Sequence, residues 1–474
     1  MARLVAGDIA SATGGALALG ARSAAASGVS IDSRSVAAGE LFFAIRGPRN
    51  DGHAFVPDVW ARGAAGAVVA DDYAVPAEAP AGFFVVRVKD THEALKALAR
   101  AVRLQWRGRL VAVTGSMGKT TTREFACQLL ENRFPAYQTP GNYNNLFGLP
   151  LSLLGLEPGH EVGVFEMGMS APGEIAEMCR VALPDIGVLT GVAPVHLEFF
   201  ASVEEIAEAK GELVSGLAPG GTLIYNADDP LVCKLARRFG GEKVSFGSSP
   251  DADVRADQVE MRDLGTTCFR LSYEGRRVRA ALPFTGAHFV QNALPGAALG
   301  LKFGMSPAQV ADAMAKLRQP AMRGEVSRFQ KGAGGFAVID DSYNSNPCAL
   351  RGMIDALCAV PGFSRRVLVA GEMLELGADA PRMHFECGEY ASRSGVGLVV
   401  GVQGGAVELV RAASKGCADG ARFFGSSDEA AEFVAANVRE GDLVLVKGSR
   451  GAHTEKVVEA LAARFGKEPQ RGWR

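Results

Sequence analysis

Residues 110–121 decide the fold class of the chain and read LVAVTGSMGKTT. An apolar, β-branched run leads into a loop that contains Gly115 and Gly118, and a helix is predicted to begin directly after the loop. Glycines allow backbone N–H groups to turn inward around phosphate oxygens, and the start of a helix adds partial positive charge. The order of strand, loop and helix therefore predicts a site for nucleotide phosphates.

Two side chains follow this loop at the positions where nucleotide chemistry needs them. Lys119 is expected to reach the β- and γ-phosphates, and the Thr120 hydroxyl is expected to bind Mg²⁺. The general pattern G-x-x-x-x-G-K-[ST] has a glycine where this chain has Val113, so a glycine-rich turn with a surface lysine is the alternative. The element order favours nucleotide binding. The predicted nucleotide contacts in the loop are Gly115, Ser116, Met117, Gly118, Lys119, Thr120 and Thr121.

Short apolar strands alternate with helices after the loop. Residues 162–165 and 186–190 predict strands, and residues 172–182 predict a helix. A second helix is predicted over residues 202–217, opened by a capping box of Ser202 and Glu205. This alternation is typical of a mainly parallel sheet with helices on both faces. Residues 252–282 are richer in charge and predict additional antiparallel strands.

Changes in pattern divide the chain into three predicted domains. One boundary lies near residue 107, and a second lies near residue 319, beyond which strands and helices alternate again. We predict an α/β protein with an N-terminal domain (residues 1–107), a central P-loop ATPase domain with a mainly parallel sheet (residues 108–319) and a C-terminal Rossmann-like domain (residues 320–474).

Three further residues lie where parallel α/β proteins place their ligands, or on an unusual helix face. Glu166 follows a predicted strand, and a Mg²⁺ ligand and a solvent-facing glutamate are equally good interpretations of it. His196 follows the next strand, where a lone histidine is more often structural. Lys210 shares a helix face with Ile206 and Leu213, so it must find a partner, extend to the surface or lose its charge. Beside the predicted site, we favour a functional role for Lys210.

Composition limits the kinds of partner. The 474 residues are 48% hydrophobic and 22% charged, with a net charge of −2 and no long basic run, so nucleic-acid binding is not expected. The eight cysteines are scattered without a Cys-x-x-Cys pair, which argues against a zinc site or a disulfide framework and fits a reducing cytoplasm. Neither a signal peptide nor a membrane-spanning run is predicted, so we expect a cytoplasmic protein without membrane insertion.

Several segments together resemble the Mur ligases of bacterial cell-wall synthesis, over essentially the whole chain. The phosphate loop is similar to the family's own loop, which also lacks the upstream glycine. Residues 32–34 and 51–53 look like parts of the family's nucleotide-sugar domain. Residues 139–145 (TPGNYNN) and 339–347 (IDDSYNSNP) are similar to segments of the member that adds D-alanyl-D-alanine, and residues 447–450 resemble its C-terminal strand end. The Asp-Asn-Pro-Arg motif of the member that adds diaminopimelate or lysine is missing.

The resemblance implies roles for individual residues. The implied metal ligands are Thr120, Glu166, His196 and Lys210, the last as a carbamate. The implied catalytic residues are Lys119, His196, Lys210 and Arg323. Further implied nucleotide contacts are Asn292, Arg323, Asp340 and Asn344, and the implied substrate contacts are Ser33, Arg34, His53, Asn142, Asn144 and Asn145. The family's His-Asn-x-x-Asn segment reads HFVQN at residues 288–292, so Phe289 either stacks on the base or packs in the core.

The resemblance also implies a reaction. ATP, with Mg²⁺ and most simply two ions, phosphorylates the carboxylate of UDP-N-acetylmuramoyl-tripeptide, and the amine of D-alanyl-D-alanine displaces phosphate. A monomer whose domains close around the substrates is expected. Three alternatives stay open: another ligase of the superfamily such as folylpolyglutamate synthase, a P-loop switch or motor without ligation chemistry, and a nucleotide-sugar binding module with a decayed ATPase site. The presence of Lys119, Thr120, Glu166 and Lys210 argues against decay.

Overall fold

The computed structural model describes residues 4–47, 50–76, 78–194, 198–331 and 334–467. Within these residues, sheets of five, nine and six strands follow one another along the chain, each with its own helices. The predicted three-domain α/β fold is confirmed. Among the described residues, no helix combines the length and the apolar character needed to cross a membrane.

The N-terminal domain is built on the five-stranded sheet. Its elements are Leu4–Val5 (β1), Ala6–Thr13 (α1), Ala16–Leu19 (β2), Ala25–Ala26 (β3), Gly28–Ser30 (β4), Glu40–Phe43 (β5), Val56–Ala61 (α2), Gly66–Ala70 (β6), Phe84–Val88 (β7) and Thr91–Gln105 (α3). The strand order is β2-β7-β6-β5-β4, with β2 antiparallel to β7 and the other neighbours parallel. Asp90 caps α3 by accepting hydrogen bonds from the backbone N–H groups of His92 and Glu93.

The central domain contains the nine-stranded sheet. Its elements are Arg109–Thr114 (β8), Lys119–Glu131 (α4), Ala136–Gln138 (β9), Gly148–Leu153 (α5), Val162–Glu166 (β10), Glu174–Ala182 (α6), Ile186–Leu189 (β11), Val203–Gly216 (α7), Thr222–Asn226 (β12), Pro230–Ala236 (α8), Glu242–Gly247 (β13), Val254–Asp263 (β14), Thr266–Tyr273 (β15), Arg276–Leu282 (β16), Ala287–Lys302 (α9) and Pro307–Met314 (α10). The strand order is β16-β15-β14-β13-β12-β11-β8-β10-β9.

The strand pairing of this sheet agrees with the sequence pattern. Strands β8 to β14 pair with one another in parallel, whereas β15 pairs antiparallel with β14 and β16. Strand β8 lies between β10 and β11 in the interior of the sheet, and its residues Leu110 to Thr114 are fully buried. This explains its unbroken apolar run, because a parallel strand covered on both faces has no solvent side.

Two helix starts differ from the predictions. Helix α6 begins at Glu174 rather than at residue 172, because Gly173 with φ 91° interrupts the helical backbone. Only half of the predicted capping box of α7 forms: the Ser202 side chain accepts a hydrogen bond from Glu205 N, but the Glu205 carboxylate accepts from Ala201 N at 2.9 Å. In a full capping box the Glu205 carboxylate would accept from the backbone N–H of Ser202. Here it accepts from the residue before, so the two caps at the N-terminus of α7 are not reciprocal.

The C-terminal domain contains the six-stranded sheet. Its elements are Glu325–Lys331 (β17), Gly334–Asp341 (β18), Pro347–Ala359 (α11), Arg365–Gly371 (β19), Ala380–Arg393 (α12), Leu398–Val402 (β20), Ala406–Ala413 (α13), Ala421–Phe424 (β21), Ser427–Asn437 (α14), Asp442–Lys447 (β22) and Glu455–Phe465 (α15). The strand order is β17-β18-β22-β19-β20-β21, and β17 alone among them pairs antiparallel, at the edge. The predicted Rossmann-like alternation is therefore present.

Candidate active site

A cavity of about 1270 Å³ lies between the central and C-terminal domains. Its walls include the loops that follow β8, β10, β11 and β12, and the ends of β18 and β22. Ligands bind outside the carboxyl ends of strands in open α/β sheets, so this is the expected place for a site. The predicted residues that line the cavity are Ser116, Met117, Gly118, Lys119, Thr120, Thr121, Asn142, Asn144, Asn145, Glu166, Asn292, Arg323 and Asn344.

The backbone of the phosphate loop is held by close contacts with β11 and α9. Ser116 N donates a hydrogen bond to Gly191 O at 2.7 Å, and Thr190 Oγ1 donates to Met117 O at 2.6 Å. Gly118 adopts φ 74°, and a Cβ there would lie 2.2 Å from Asn292 Oδ1. Gly118 must therefore be glycine both for its conformation and for the approach of Asn292.

Gly115 contributes through its backbone rather than by lining the cavity. It adopts φ 150°, and a Cβ there would lie 2.0 Å from Thr190 Oγ1. The glycine lets the loop turn directly beside the end of β11. Its role as a nucleotide contact stays a prediction, beside this role in shaping the loop.

The Lys119 side chain lies over the loop that precedes it. Its Nζ donates a hydrogen bond to Gly115 O at 2.9 Å. Burial lowers the pKa of Lys119, while the charges of Glu166 and Glu375 raise it and that of Arg323 lowers it. The ammonium group is therefore placed among charged groups from both domains, as a phosphate-binding lysine requires.

Glu166 is buried with one carboxylate oxygen left over. Its Oε1 accepts a hydrogen bond from Asn144 Nδ2 at 2.7 Å, and the nearest cationic atom, Arg123 Nη1, lies 3.9 Å from Oε2. Among the described residues, Oε2 has no hydrogen-bond partner, although only 2% of the side chain is exposed. A buried oxygen without a donor calls for a cation or a water molecule, so Glu166 fits a metal ligand and not a solvent-facing glutamate.

Lys210 is buried in the interior of α7. Its exposed fraction is 1%, which excludes a side chain that reaches the surface. Burial lowers the pKa of Lys210 well below its ordinary value, and the charge of Lys119 lowers it further. No salt bridge or hydrogen bond joins its ammonium group to another residue in the described part of the chain. Of the three fates expected for this lysine, loss of its positive charge is therefore the one that the structure favours.

Of the two remaining predicted metal ligands, the structure describes Thr120 and not His196. His196 lies outside the described residues. Thr120 lines the cavity, and its Oγ1 accepts a hydrogen bond from Arg323 Nη2 at 3.2 Å. Within the described ranges, no group of three or more His, Cys, Asp and Glu side chains is arranged to hold a metal ion.

Arg323 connects the two domains across the cavity. It precedes β17, and besides its contact with Thr120 its guanidinium carbon lies 4.1 Å from the centre of the Tyr343 ring. Its neighbours fix this position, because Gly324 N donates to Asp340 O and Tyr343 N donates to Met322 O. The predicted arginine thus reaches the phosphate loop from outside the central domain.

The end of β18 carries Asp340, a predicted nucleotide contact, and its neighbour Asp341. The Asp340 carboxylate does not line the cavity; it accepts hydrogen bonds from Ser342 N at 3.1 Å and Ser342 Oγ at 2.5 Å, and burial raises its pKa. The next residue, Asp341, lines the cavity and forms an ion pair of 2.5 Å with Lys447 at the end of β22. Neighbouring residues of a strand face opposite sides, so Asp341 faces the cavity, and the nucleotide contact of Asp340 stays a prediction.

The predicted substrate contacts of the N-terminal domain lie away from this cavity. Arg34 forms a two-pronged pair with Asp32 at 2.7 and 2.9 Å, and its hydrogen bonds lower the pKa of Asp32 to about 2. His53 Nε2 accepts from Ala70 N at 2.8 Å and its Nδ1 lies 2.6 Å from Asp51 Oδ1. Both ring nitrogens of His53 hold the scaffold, so its predicted direct contact with substrate is not supported. Ser33 and Arg34 remain predictions.

The open question at Phe289 is answered by its packing. Its side chain is 2% exposed, and its ring centre lies 5.5 Å from that of Phe284 and 6.4 Å from that of Phe125. Phe289 therefore packs in the core of the central domain.

The cavity also contains two charged residues, Asp341 and Lys447, that the sequence did not predict as site residues. Lys447 opens a segment that carried the family resemblance.

Comparison with known families matches three regions of the chain. They are described as "Mur ligase family, catalytic domain" at residues 25–103, "Mur ligase middle domain" at residues 113–300 and "Mur ligase, glutamate ligase domain" at residues 322–450.

Similar proteins and structures cover nearly the whole length. The UDP-N-acetylmuramoyl-tripeptide–D-alanyl-D-alanine ligases of Bacillus subtilis (strain 168) and Escherichia coli (strain K12) are each 34% identical, over 92% and 91% of this chain and 93% of their own length. A crystal structure of MurF from Acinetobacter baumannii has a TM-score of 0.85 at 28% identity, covering 97% of this chain and 99% of that one. The MurF ligase of Thermotoga maritima in complex with ADP has a TM-score of 0.80 at 28% identity, covering 92% and 97%. With all three regions matched in order around a phosphate loop, the chain belongs to the Mur ligase family of ATP-dependent ligases.

Proposed function

We propose that this enzyme adds D-alanyl-D-alanine to UDP-N-acetylmuramoyl-tripeptide, giving UDP-N-acetylmuramoyl-pentapeptide, ADP and phosphate in peptidoglycan synthesis. The relatives that match over nine-tenths of the chain are named for this reaction. The observation that carries the proposal is the cavity itself, because the phosphate loop forms one wall and strand ends of the C-terminal domain form another.

The chemistry explains why a ligase needs two such walls. A carboxylate is a poor acyl donor because its leaving group would be oxide, and phosphorylation by ATP supplies a good leaving group. Lys119 and Arg323, which approach from different domains, stabilise the charge on the phosphoryl group during transfer. The amine of the dipeptide then attacks the acyl carbon, and phosphate leaves. Closure of the two walls excludes water, which would otherwise hydrolyse the acyl phosphate.

Mg²⁺ fits the carboxylate side of this cavity. The buried Glu166 Oε2 lacks a hydrogen-bond donor among the described residues, and Mg²⁺ prefers such oxygens together with phosphates and water. We propose two ions, held by Thr120, Glu166, His196 and a modified Lys210; when bound, they neutralise phosphate charge.

We further propose that Lys210 is carbamylated in the active enzyme. Burial lowers the pKa of Lys210 well below its ordinary value, which favours the neutral amine, and a neutral amine can add CO₂ with loss of a proton. The product is an anion with two oxygen donors, the ligand type that Mg²⁺ prefers. Carbon-13 NMR of enzyme equilibrated with labelled bicarbonate should show a carbamate resonance that Lys210→Ala lacks. Fully active enzyme without that resonance would contradict the carbamate.

The proposal also covers the whole protein. It acts as a monomer in the cytoplasm, with domains at residues 1–107, 108–319 and 320–474, and the three matched ranges lie inside these bounds. The N-terminal domain binds the UDP-sugar with Ser33 and Arg34. Asn142, Asn144 and Asn145 line the cavity and contact the peptide end of that substrate or the nearby phosphates.

The decisive experiment is to measure ADP and phosphate release while omitting one substrate at a time. Steady release should require ATP, UDP-N-acetylmuramoyl-tripeptide and D-alanyl-D-alanine together, and the pentapeptide should appear in equal amount. ATP hydrolysis that ignores both other substrates would favour a switch or motor. Activity with a folate and glutamate instead would favour the folylpolyglutamate synthase alternative.

A further inference from the structure

A loop of the C-terminal domain forms part of the cavity wall. Residues 372–376 follow β19, and the leucines at both sides of the loop tip, Leu374 and Leu376, line the cavity. The side chain of Leu376 is 3% exposed, whereas that of Leu374 is 46% exposed. Leu374 therefore presents an apolar surface to the cavity that also contains the phosphate loop.

Two reciprocal hydrogen bonds join this loop to the segment that follows β22. Leu374 N donates to Ser449 Oγ at 3.1 Å, and Ser449 N donates to Glu372 O at 3.2 Å. Ser449 is itself buried and donates through Oγ to Ser345 O at 3.4 Å, at the end of the neighbouring strand segment. The place of Leu374 at the wall is thus set through its backbone and not by its own side chain.

His384 on α12 holds the same loop from the interior of the domain. Its Nε2 accepts a hydrogen bond from Met373 N at 2.9 Å, and its Nδ1 lies 2.7 Å from Ala380 O. Because a backbone N–H donates and a carbonyl oxygen accepts, the ring is neutral and carries its proton on Nδ1. The side chain is fully buried, and burial lowers the pKa of His384, which agrees with a neutral ring.

The turn before α13 keeps both the ring and the loop in place. A Cβ at Gly405 would lie 2.7 Å from His384 Cε1, so the backbone of this turn packs directly on the ring. Gly405 N also donates to Glu372 Oε1 at 2.9 Å. Three successive loop residues, 372 to 374, are therefore held by three different segments of the C-terminal domain.

We propose that His384 is a positioning residue that keeps Leu374 at the cavity wall, where Leu374 excludes water from the acyl phosphate. This inference rests on the proposed function and deepens it. In the productive reaction the amine attacks the acyl carbon, and the bond from that carbon to the phosphate oxygen breaks. Water attacking the same carbon breaks the same bond and returns the free carboxylate and phosphate, so one ATP is hydrolysed without a new amide bond.

The test measures phosphate and pentapeptide released by the full-length enzyme with all three substrates present. The wild type should release close to one phosphate for each pentapeptide. In His384→Asn the amide can still donate to Ala380 O but is too short to accept from Met373 N. This variant should raise the excess of phosphate over pentapeptide by about twofold to tenfold, the scale of one hydrogen bond.

A conservative variant tests the hydrogen bond to Met373 N by itself. In His384→Gln the longer side chain brings its amide oxygen to the place of Nε2, where it can accept from Met373 N. His384→Gln should therefore keep the ratio of phosphate to pentapeptide close to that of the wild type.

Leu374→Ala tests the wall directly. Because this side chain is half exposed and the backbone bond to Ser449 remains, thermal unfolding should stay close to that of the wild type while the excess of phosphate rises. Val434→Ala is the control for general loosening, since Val434 is buried in α14, whose described residues do not line the cavity. That variant should unfold at a lower temperature and keep the wild-type ratio.

The outcomes separate this inference from the function beneath it. If the wild type forms no pentapeptide, the proposed function fails. If the wild type forms it, a wild-type ratio in His384→Asn or in Leu374→Ala would overturn the role of the loop. A rise of equal size in His384→Gln or in Val434→Ala would overturn it as well, because the ratio would then follow the stability of the domain and not the bond to Met373.

Discussion

At the residue scale, the nucleotide site depends most directly on Lys119. Its ammonium group lies over the loop, with Nζ 2.9 Å from Gly115 O. Lys119→Ala should lower turnover by at least about a hundredfold, the scale of losing one preorganised charge-stabilising group. Thermal unfolding should stay close to that of the wild type. Product formation at the wild-type rate would show that the phosphate loop is wrongly assigned.

His288 is a half-buried residue with a buried Nδ1, and its protonation opposes folding. It lines the cavity, its Nδ1 has no hydrogen-bond partner among the described residues, and burial lowers its pKa to about 4, with Asp341 raising it and Lys447 lowering it. In the unfolded chain its pKa is about 6.5, so the unfolded state takes up the proton first. Stability should therefore fall as pH drops from about 6.5 to about 4, by at most about 3 kcal/mol from this residue.

The measurement is urea unfolding at a series of pH values. His288→Gln should flatten the slope of the unfolding free energy against pH in that window. His453→Gln, at a side chain that is 57% exposed, serves as the control and should keep the wild-type slope. Equal slopes for the wild type and His288→Gln would show that His288 is not held neutral in the folded state.

At the element scale, α7 brings the buried Lys210 to the site, and the N-terminus of this helix depends on a side-chain cap. Ser202 caps the helix by accepting from Glu205 N at 3.2 Å. Ser202→Ala should destabilise the protein by about 1 kcal/mol, the usual value of a serine cap. Ser215→Ala, at an exposed position in the last turn of the same helix, should change stability by less than about 0.5 kcal/mol. Chemical denaturation of both variants makes the comparison, and equal effects would contradict the cap.

At the scale of the whole molecule, Arg323 joins the central and C-terminal domains at the phosphate loop. Its guanidinium reaches Thr120 from a segment that is hydrogen-bonded to the C-terminal sheet. Arg323→Ala should slow phosphoryl transfer by about a hundredfold or more, because the charge acts on the transferring group. ATP affinity should change far less. Rapid-quench kinetics and nucleotide titration separate the two, and a large loss of affinity with unchanged chemistry would refute this role.

The fold followed from the sequence wherever local pattern and tertiary environment agree. The apolar run of β8, the glycine loop and α4 could be located because each is specified by residues close together in the chain. The edge strands β17 and β21 were not predicted, since an edge strand shows a weaker apolar pattern than a buried one. The start of α6 shifted because a single glycine conformation is not visible in periodicity.

Sequence alone determined the phosphate loop, the three-domain α/β plan and the anomaly of Lys210 on an apolar helix face, because these are properties of neighbouring residues. The tertiary structure alone decided which of Asp340 and Asp341 faces the cavity, that both nitrogens of His53 are used by the scaffold, and that Leu374 meets Ser449. These outcomes depend on strand facing and on loops that meet across about 75 residues of sequence. Contacts of that kind are fixed by the packing of whole elements, which no local pattern encodes.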